Sequence, residues 1–438
     1  MFRIASVVRA TLALAAALVA QVNGAFAADA YLINNARIFD GVDIVTERGA
    51  VRVDNGLITA VSKTPLASKP GETVIDAAGR FLMPGMIDAH VHVSSNLPFD
   101  LLSIANESLI GASAAPNAKA MLMRGFTTVR DTGGTDWGVA TAIDRGIIEG
   151  PRIIFAGRVL TQTGGHGDNR GQGAPSDLHQ RFQFGSVVAD GTPEVLQGAR
   201  EELRRGSHFL KIMAGGGVAS PRDPLHSIQY TPEEMAAAVT TAKNWGTYVA
   251  AHAYTPGAIK RALNAGVMTI EHGNLIDREA AELAASKGAW VNPNLVTYWA
   301  MDQSPDLPAY LKEKNKVTLD AMTKALDILK AAGTNIGFGT DLIAQFQAHQ
   351  SYEFVLRSEA FSGLEILRQA TSGNAGIIAL SGPLNPYGEL GAIAPGLRAD
   401  LLLIDGDPTA DIKIMATPDE VIDLIMKDGR IVKGPVER

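Results

Sequence analysis

Residues 81–95 read FLMPGMIDAHVHVSS. An apolar run ends in His90 and His92, one residue apart. In a β-strand successive side chains alternate, so residues i and i+2 share a face. Read that way, both imidazoles point into the same space and can grip one ion. The pair alone is a weak motif, because a lone buried histidine is more often a satisfied core residue than a ligand. The rest of the chain decides between a metal site and two polar side chains that close a strand.

Outward from this stretch the sequence alternates. Strand-like segments fall at 85–93, 127–133, 152–160, 208–216, 247–254, 267–274, 289–295 and 335–341. Helix-like stretches lie between them, including 194–205, 232–245, 255–265 and 311–332. The second of these opens on Thr231 and Pro232, with Glu233 and Glu234 in its first turn, a helix-start signature. Eight strands alternating with helices predict an α/β chain built on a (β/α)8 TIM barrel. An open doubly wound sheet is the other architecture of this pattern, but it does not need eight strands.

The ends of the chain differ from its middle. From Tyr31 to about Arg80, and again over the last fifty residues, short β-branched runs are punctuated by Gly, Asn and Asp. The expected organisation is a small β-sandwich domain made from both ends, 28–82 and 386–438, with the barrel over 83–385 inserted between its halves.

The first 27 residues have a separate logic. Arg3 and Arg9 precede an apolar run from Ala10 to Ala20, and AFA (25–27) places small residues before Ala28. This is the layout of a cleaved signal peptide. A membrane anchor is the competing reading, but the apolar core is short for a span. The expectation is therefore an exported protein, periplasmic or secreted, with no membrane attachment after cleavage.

The chain has 438 residues, 46% of them hydrophobic and 19% charged, enough to bury a sizeable core. A net charge of −7 without a basic cluster argues against nucleic acid as a partner. Cysteine is absent, so disulfides and thiolate ligands are excluded, and any metal must be held by nitrogen and oxygen.

TIM barrels place their chemistry at the C-terminal ends of the strands. Here the ionisable residues gather at those ends: His90 and His92 on the first strand, Lys211 on the fourth, His252 on the fifth, His272 on the sixth and Asp341 on the eighth. Each has a bland alternative. A lysine in an apolar strand usually marks an edge strand, and an aspartate after Gly-Thr is often a turn former. Together, six residues at five predicted strand ends, they read as one metal site. Gly337, Gly339 and Asp341 share a face, so two inward glycines leave room beneath the site.

At this point the sequence resembles the metal-dependent amidohydrolase superfamily. The resemblance rests on PGMIDAHVHV, Lys211, AHAY, IEHGN, GTD and the terminal GAIAPGLRADLLLID, and spans nearly everything after the leader. TGGHGD (163–168) and MAGGGVASPRDPLHSIQYTPEE (213–234) narrow it to the subgroup of Xaa-Pro dipeptidases (prolidases), carboxypeptidase-like enzymes and ochratoxinases.

The resemblance implies two divalent ions, zinc above all, bridged by a carbamylated lysine and a hydroxide. His90, His92 and Asp341 would hold one ion, His252 and His272 the other, and the Lys211 carbamate would bridge them. An unmodified lysine ammonium would be repelled by two such cations, whereas a carbamate is an anionic oxygen donor. The ions' charge slightly exceeds that of the carbamate, Asp341 and hydroxide, which favours an anionic substrate.

Asp341 is expected to take a proton from the attacking water and pass it to the leaving nitrogen. His166, in the glycine-rich loop after the third strand, is expected to donate to the oxyanion or touch the substrate. Tyr254, Tyr230 and Arg222 are candidates for orienting the carbonyl or a substrate carboxylate. Some relatives carry a second histidine where this chain has Tyr254. His179, His208, His226 and His349 are not expected to be ligands, and His208 opens the fourth strand at the wrong end of the barrel. The long loop 161–192, with Phe182 and Phe184, is a candidate lid or acyl-binding element.

The expected substrate is an amide or dipeptide whose leaving amino acid keeps a free carboxylate, a class that includes Xaa-Pro dipeptides, N-acyl amino acids and ochratoxin A. Three rivals remain. A one-metal deaminase would lack the bridging lysine and carry a glutamate soon after the fifth-strand histidine, which HAYTPG does not. A lactonase or phosphotriesterase could use the same ligands. A metal-free barrel would have no need of a full ligand set. The resemblance also implies a homo-oligomer, an octamer being one form.

Overall fold

The computed structural model describes residues 30–102, 104–171, 182–183, 185–305 and 307–435. The leader, His179 and Phe184 lie outside the described residues, as does most of the centre of the 161–192 loop.

Five strands open the described chain: β1 (Ala30–Phe39), β2 (Ile44–Asp54), β3 (Leu57–Ser62), β4 (Glu72–Asp76) and β5 (Phe81–Pro84). β2 and β3 form a hairpin around Asn55 and Gly56, whose φ values of 52° and 79° are those of a tight turn that asparagine and glycine tolerate best.

The barrel strands follow: β6 (Met86–Val91), β7 (Phe126–Asp131), β8 (Arg152–Phe155), β9 (Val159–Thr161), the short β10 (Phe182–Gln183) and β11 (Ser186–Val188), then β12 (Leu210–Met213), β13 (Val249–Ala253), β14 (Thr269–His272), β15 (Trp290–Asn292) and β16 (Asn335–Ile336). β6, β7 and β8 form one parallel arc, and β9 and β12 to β16 run in order as the other. The arcs join where Ala89 N–H donates to Phe338 O at 2.8 Å and His208 N–H donates to Phe155 O at 2.9 Å. Helices, including Gly191–Arg204, Pro232–Asn244, Pro256–Ala265 and Ala309–Ala331, alternate with the strands. The result is the (β/α)8 barrel.

The chain closes with β17 (Leu401–Ile404), β18 (Ile422–Lys427) and β19 (Arg430–Lys433). These join the opening strands in the order β19-β18-β17-β5-β1-β2-β3, with β4 beside β1. Ile33, Ile38, Val51, Ile58, Leu82, Leu401 and Leu424 form the core of this β-rich unit. β5 belongs to it and runs directly into β6, so the first histidine strand is anchored at its base by the unit's sheet.

Two local expectations need correction. The run 152–160 is two strands, not one. Gly157 adopts φ 73°, and a Cβ there would lie 2.5 Å from Glu202 Oε2, so the ladder breaks between β8 and β9. The space around the inward glycines near Asp341 is also filled. A Cβ on Gly337 would lie 1.8 Å from Asn292 Oδ1, and one on Gly339 would lie 2.7 Å from Asn294 Oδ1. These glycines make way for two asparagine side chains. No helix among the described residues is long and apolar enough to cross a membrane.

Candidate metal centre

His90 and His92 stand at the end of β6 and meet one oxygen. Their Nε2 atoms lie 3.1 and 3.0 Å from Asp341 Oδ1. His272 Nδ1 lies 3.8 Å from Asp341 Oδ2. The His252 ring contacts that of His272 at 4.4 Å between centroids, and His272 contacts His90 at 5.4 Å. The four histidines and Asp341 thus form one continuous cluster at the strand ends.

Register explains most of this convergence. Met213 pairs with His252, and Lys211 lies two residues before Met213, so Lys211 and His252 share the inward face. His252 pairs with Glu271, which by alternation puts Glu271 inward and His272 outward. His272 escapes that rule because its φ of 77° swings the ring back to the site. Asp341 is likewise left-handed, with φ 53°, and its N–H is held by His90 O at 2.7 Å. Both residues hold backbone conformations that cost energy and persist where surroundings enforce them.

Apart from the contacts to Asp341, each imidazole has one nitrogen occupied by the protein. His90 Nδ1 is 2.9 Å from Glu271 Oε2, and His92 Nδ1 is 2.8 Å from Gly133 O. His252 Nε2 is 3.2 Å from Gly216 O, and His272 Nδ1 is 2.7 Å from the Tyr298 hydroxyl. Metal-binding histidines are oriented by such partners. The nitrogens left to hold a cation are Nε2 of His90, His92 and His272, and Nδ1 of His252.

The electrostatics fit the same role. Burial, reinforced by His166 and neighbouring charges, keeps the His252 imidazole well below its ordinary pKa. Burial does the same for His272 against the pull of Asp341. Both rings are therefore neutral, as ligands must be. Burial opposes ionisation of Asp341, but His90, His92 and His272 hold its carboxyl well below the usual range. Lys211 is buried, and burial lowers its pKa to about 8 although Glu271 and Asp341 pull the other way. An amine so placed has a larger neutral fraction than an ordinary lysine, and the neutral form is the one that can add carbon dioxide to become a carbamate. An all nitrogen and oxygen donor set with a convertible lysine fits zinc-like ions.

His166 joins the cluster by stacking on His252 at 4.2 Å, with an interplanar angle of 17°. Tyr254 stacks on His272 at 4.7 Å, and its hydroxyl lies 2.8 Å from that of Tyr298. The other two candidates fall elsewhere. Arg222 is exposed and reaches Asn169 O at 3.4 Å. Tyr230 adopts φ 56° and packs into the core under the helices with Leu160, Val195 and Met235, so its ring does not reach the cluster. His208 is buried at the opposite end, where its Nδ1 accepts the Phe155 N–H at 3.1 Å.

Sequence reading missed the supporting residues. Glu271 also binds the buried Arg130 guanidinium, with Thr269 Oγ1 at 2.8 Å and Asn292 Nδ2 at 3.0 Å. Tyr298 follows β15 in the helix Leu295–Asp302, and Asp223 sits in the GGGVASPRDP loop. Tyr298 and Asp223 could have drawn attention only by their position after strand ends, whereas Glu271 and Arg130 lie within β14 and β7.

Comparison with known proteins places this geometry. The model of the amidohydrolase family matches residues 81–432. The ochratoxinase of Aspergillus niger is 29% identical over 370 residues, covering 81% of this chain and 76% of that protein. The crystal structure of an amidohydrolase superposes with a TM-score of 0.87 at 40% identity, covering 93% of this chain and 100% of its own. A prolidase crystallised with N-methylphosphonate-L-proline gives 0.86 at 38% identity, covering 92% and 100%. Barrel, histidine–aspartate cluster and family match agree: the chain belongs to the amidohydrolase family and is a hydrolase acting on C–N bonds.

Proposed function

We propose that this hydrolase cleaves the amide bond of dipeptides or N-acyl amino acids whose leaving group is an amino acid with a free carboxylate. The observation that carries the reading is the convergence of His90, His92, His252, His272 and Asp341 at the barrel mouth, with Lys211 inward on β12 beside them. The prolidase and ochratoxinase relatives act on bonds of this class, which supports the choice.

In this reading His90, His92 and Asp341 would hold one divalent cation and His252 and His272 a second, with Lys211, as its carbamate, supplying an anionic oxygen donor beside them. When bound, such ions polarise a carbonyl and acidify a water toward neutral pH. Asp341, kept ionised by its histidines, accepts the proton of the attacking water and delivers it to the leaving nitrogen. His166, stacked on His252, donates to the oxyanion as the carbonyl becomes tetrahedral. Tyr254, held by Tyr298, orients the substrate. Arg222, at the surface of the same loop system, is retained only as a contact for a larger substrate.

The reading includes export through cleavage of residues 1–27 and assembly as a homo-oligomer. A panel of Xaa-Pro dipeptides, other dipeptides, N-acyl amino acids and ochratoxin A, each with free and amidated carboxyl ends, tests it. Turnover confined to the free acids is the expected result. Equal turnover of blocked substrates, or preference for a lactone or phosphotriester, contradicts it.

A further inference from the structure

His166 does not hold its place unaided. Its Nδ1 lies 2.9 Å from Ser220 Oγ and 3.2 Å from Asp223 Oδ2, while its backbone N–H donates to Gln229 Oε1 at 2.9 Å. Asp223 is buried, and its Oδ2 also accepts the Gly217 N–H at 2.8 Å and Gln229 Nε2 at 3.3 Å. Ser220 donates its hydroxyl to the other oxygen of Asp223. Gly217 is required in this arrangement, because a Cβ there would lie 1.9 Å from the His166 ring.

The loop carrying these groups is fastened from across the barrel mouth. Lys314, on the helix Ala309–Ala331, donates to Gly217 O at 2.9 Å, Ser220 O at 2.7 Å and Asp223 O at 2.6 Å. An ammonium has three protons, and all of them are used on this one loop. The charge also sits beside the Asp223 carboxylate it helps to fix. Surface lysines do not spend their whole donor capacity on backbone carbonyls.

We infer that Asp223 and Lys314 are positioning residues for His166. Asp223 accepts a hydrogen bond from Nδ1–H and so fixes the ring orientation that aims Nε2 at the substrate, and Lys314 locks the loop that carries Asp223. A carboxylate orienting a working imidazole through Nδ1 is a recurring device in hydrolases. The inference rests on the role of His166 in the proposed function.

The test uses metal-loaded protein and the variants Asp223→Asn, Lys314→Met and Lys314→Arg, each in the wild-type and His166→Gln backgrounds. Asp223→Asn and Lys314→Met should lower kcat about tenfold to a hundredfold with a smaller change in KM and unchanged metal content. Lys314→Arg should restore part of the loss. In the His166→Gln background the same changes should alter kcat by less than about twofold, because their effect passes through that ring. Equal losses in both backgrounds, or loss of metal, would overturn the inference. Nitrogen-15 NMR of labelled histidine gives a readout that needs no turnover. The resonances that His166→Gln removes should show a protonated, hydrogen-bonded Nδ1 in the wild type, and that Nδ1 hydrogen bond weakened in Asp223→Asn. Unchanged Nδ1 resonances refute the positioning role. Absence of turnover on every amide, with the Nδ1 shift present, refutes the amide-hydrolysis reading instead.

Discussion

The Tyr298 hydroxyl lies 2.7 Å from His272 Nδ1 and 2.8 Å from the Tyr254 hydroxyl, so one phenol connects the imidazole proposed to hold a cation to the ring proposed to orient substrate. All three side chains are buried. Tyr298→Phe removes both hydrogen bonds and little volume. Metal affinity, read by chelator competition, should fall about tenfold to a hundredfold, with the melting temperature nearly unchanged. Unchanged affinity would mean that packing alone orients His272.

In the proposed function Asp341 combines two duties, ligand and proton carrier. Asp341→Asn keeps the shape and removes the basicity. Turnover should fall by about two to four orders of magnitude or more in the substrate panel. Near-wild-type turnover with metal still bound would remove Asp341 from the proton pathway.

Glu271 and Arg130 are both fully buried and form an ion pair beneath His90. Burial opposes the charge on each, and their mutual attraction restores it. Removing one partner strands the other. Glu271→Ala should therefore destabilise the fold by about 3–5 kcal/mol in chemical denaturation. A loss below about 1 kcal/mol would show that Arg130 finds water or another partner.

His208 gives a pH signature separate from the metal cluster. Burial lowers its pKa to about 4. In the unfolded chain the value is about 6.5. Between these values the unfolded state binds the extra proton, so the contribution to stability is complete above pH of about 6.5 and is lost as pH falls toward 4. His208→Gln should reduce the acid-side slope of stability against pH by at most about 1.4 kcal/mol per pH unit. An identical slope in the variant would place the titrating groups elsewhere.

The legible part of this protein is the part written in local pattern. His90 and His92 share a strand face, and Lys211 and His252 lie inward by the same parity, so alternation alone brings them together. The β-rich ends were recognisable because turn residues punctuate short β-branched runs. The break at Gly157 was not, because RIIFAGRVL reads as one β-rich run and the steric demand comes from Glu202, far along the chain. His272 was found by motif although strict alternation would have turned it outward; its left-handed φ is a tertiary fact. Glu271 meets His90 across 181 residues, and Lys314 meets Gly217 across 97, distances at which no periodicity operates. Tyr230 lies away from the histidine cluster because its backbone turns left-handed and carries the ring into the core.

The central claim is a two-ion site that depends on Lys211. Metal content per chain, measured on purified wild type and Lys211→Ala in parallel, tests it most directly. The account predicts about two zinc-like ions in the wild type and a clear fall in the variant. One ion per chain in both would contradict it, leaving Lys211 a structural residue and a one-metal reaction in its place.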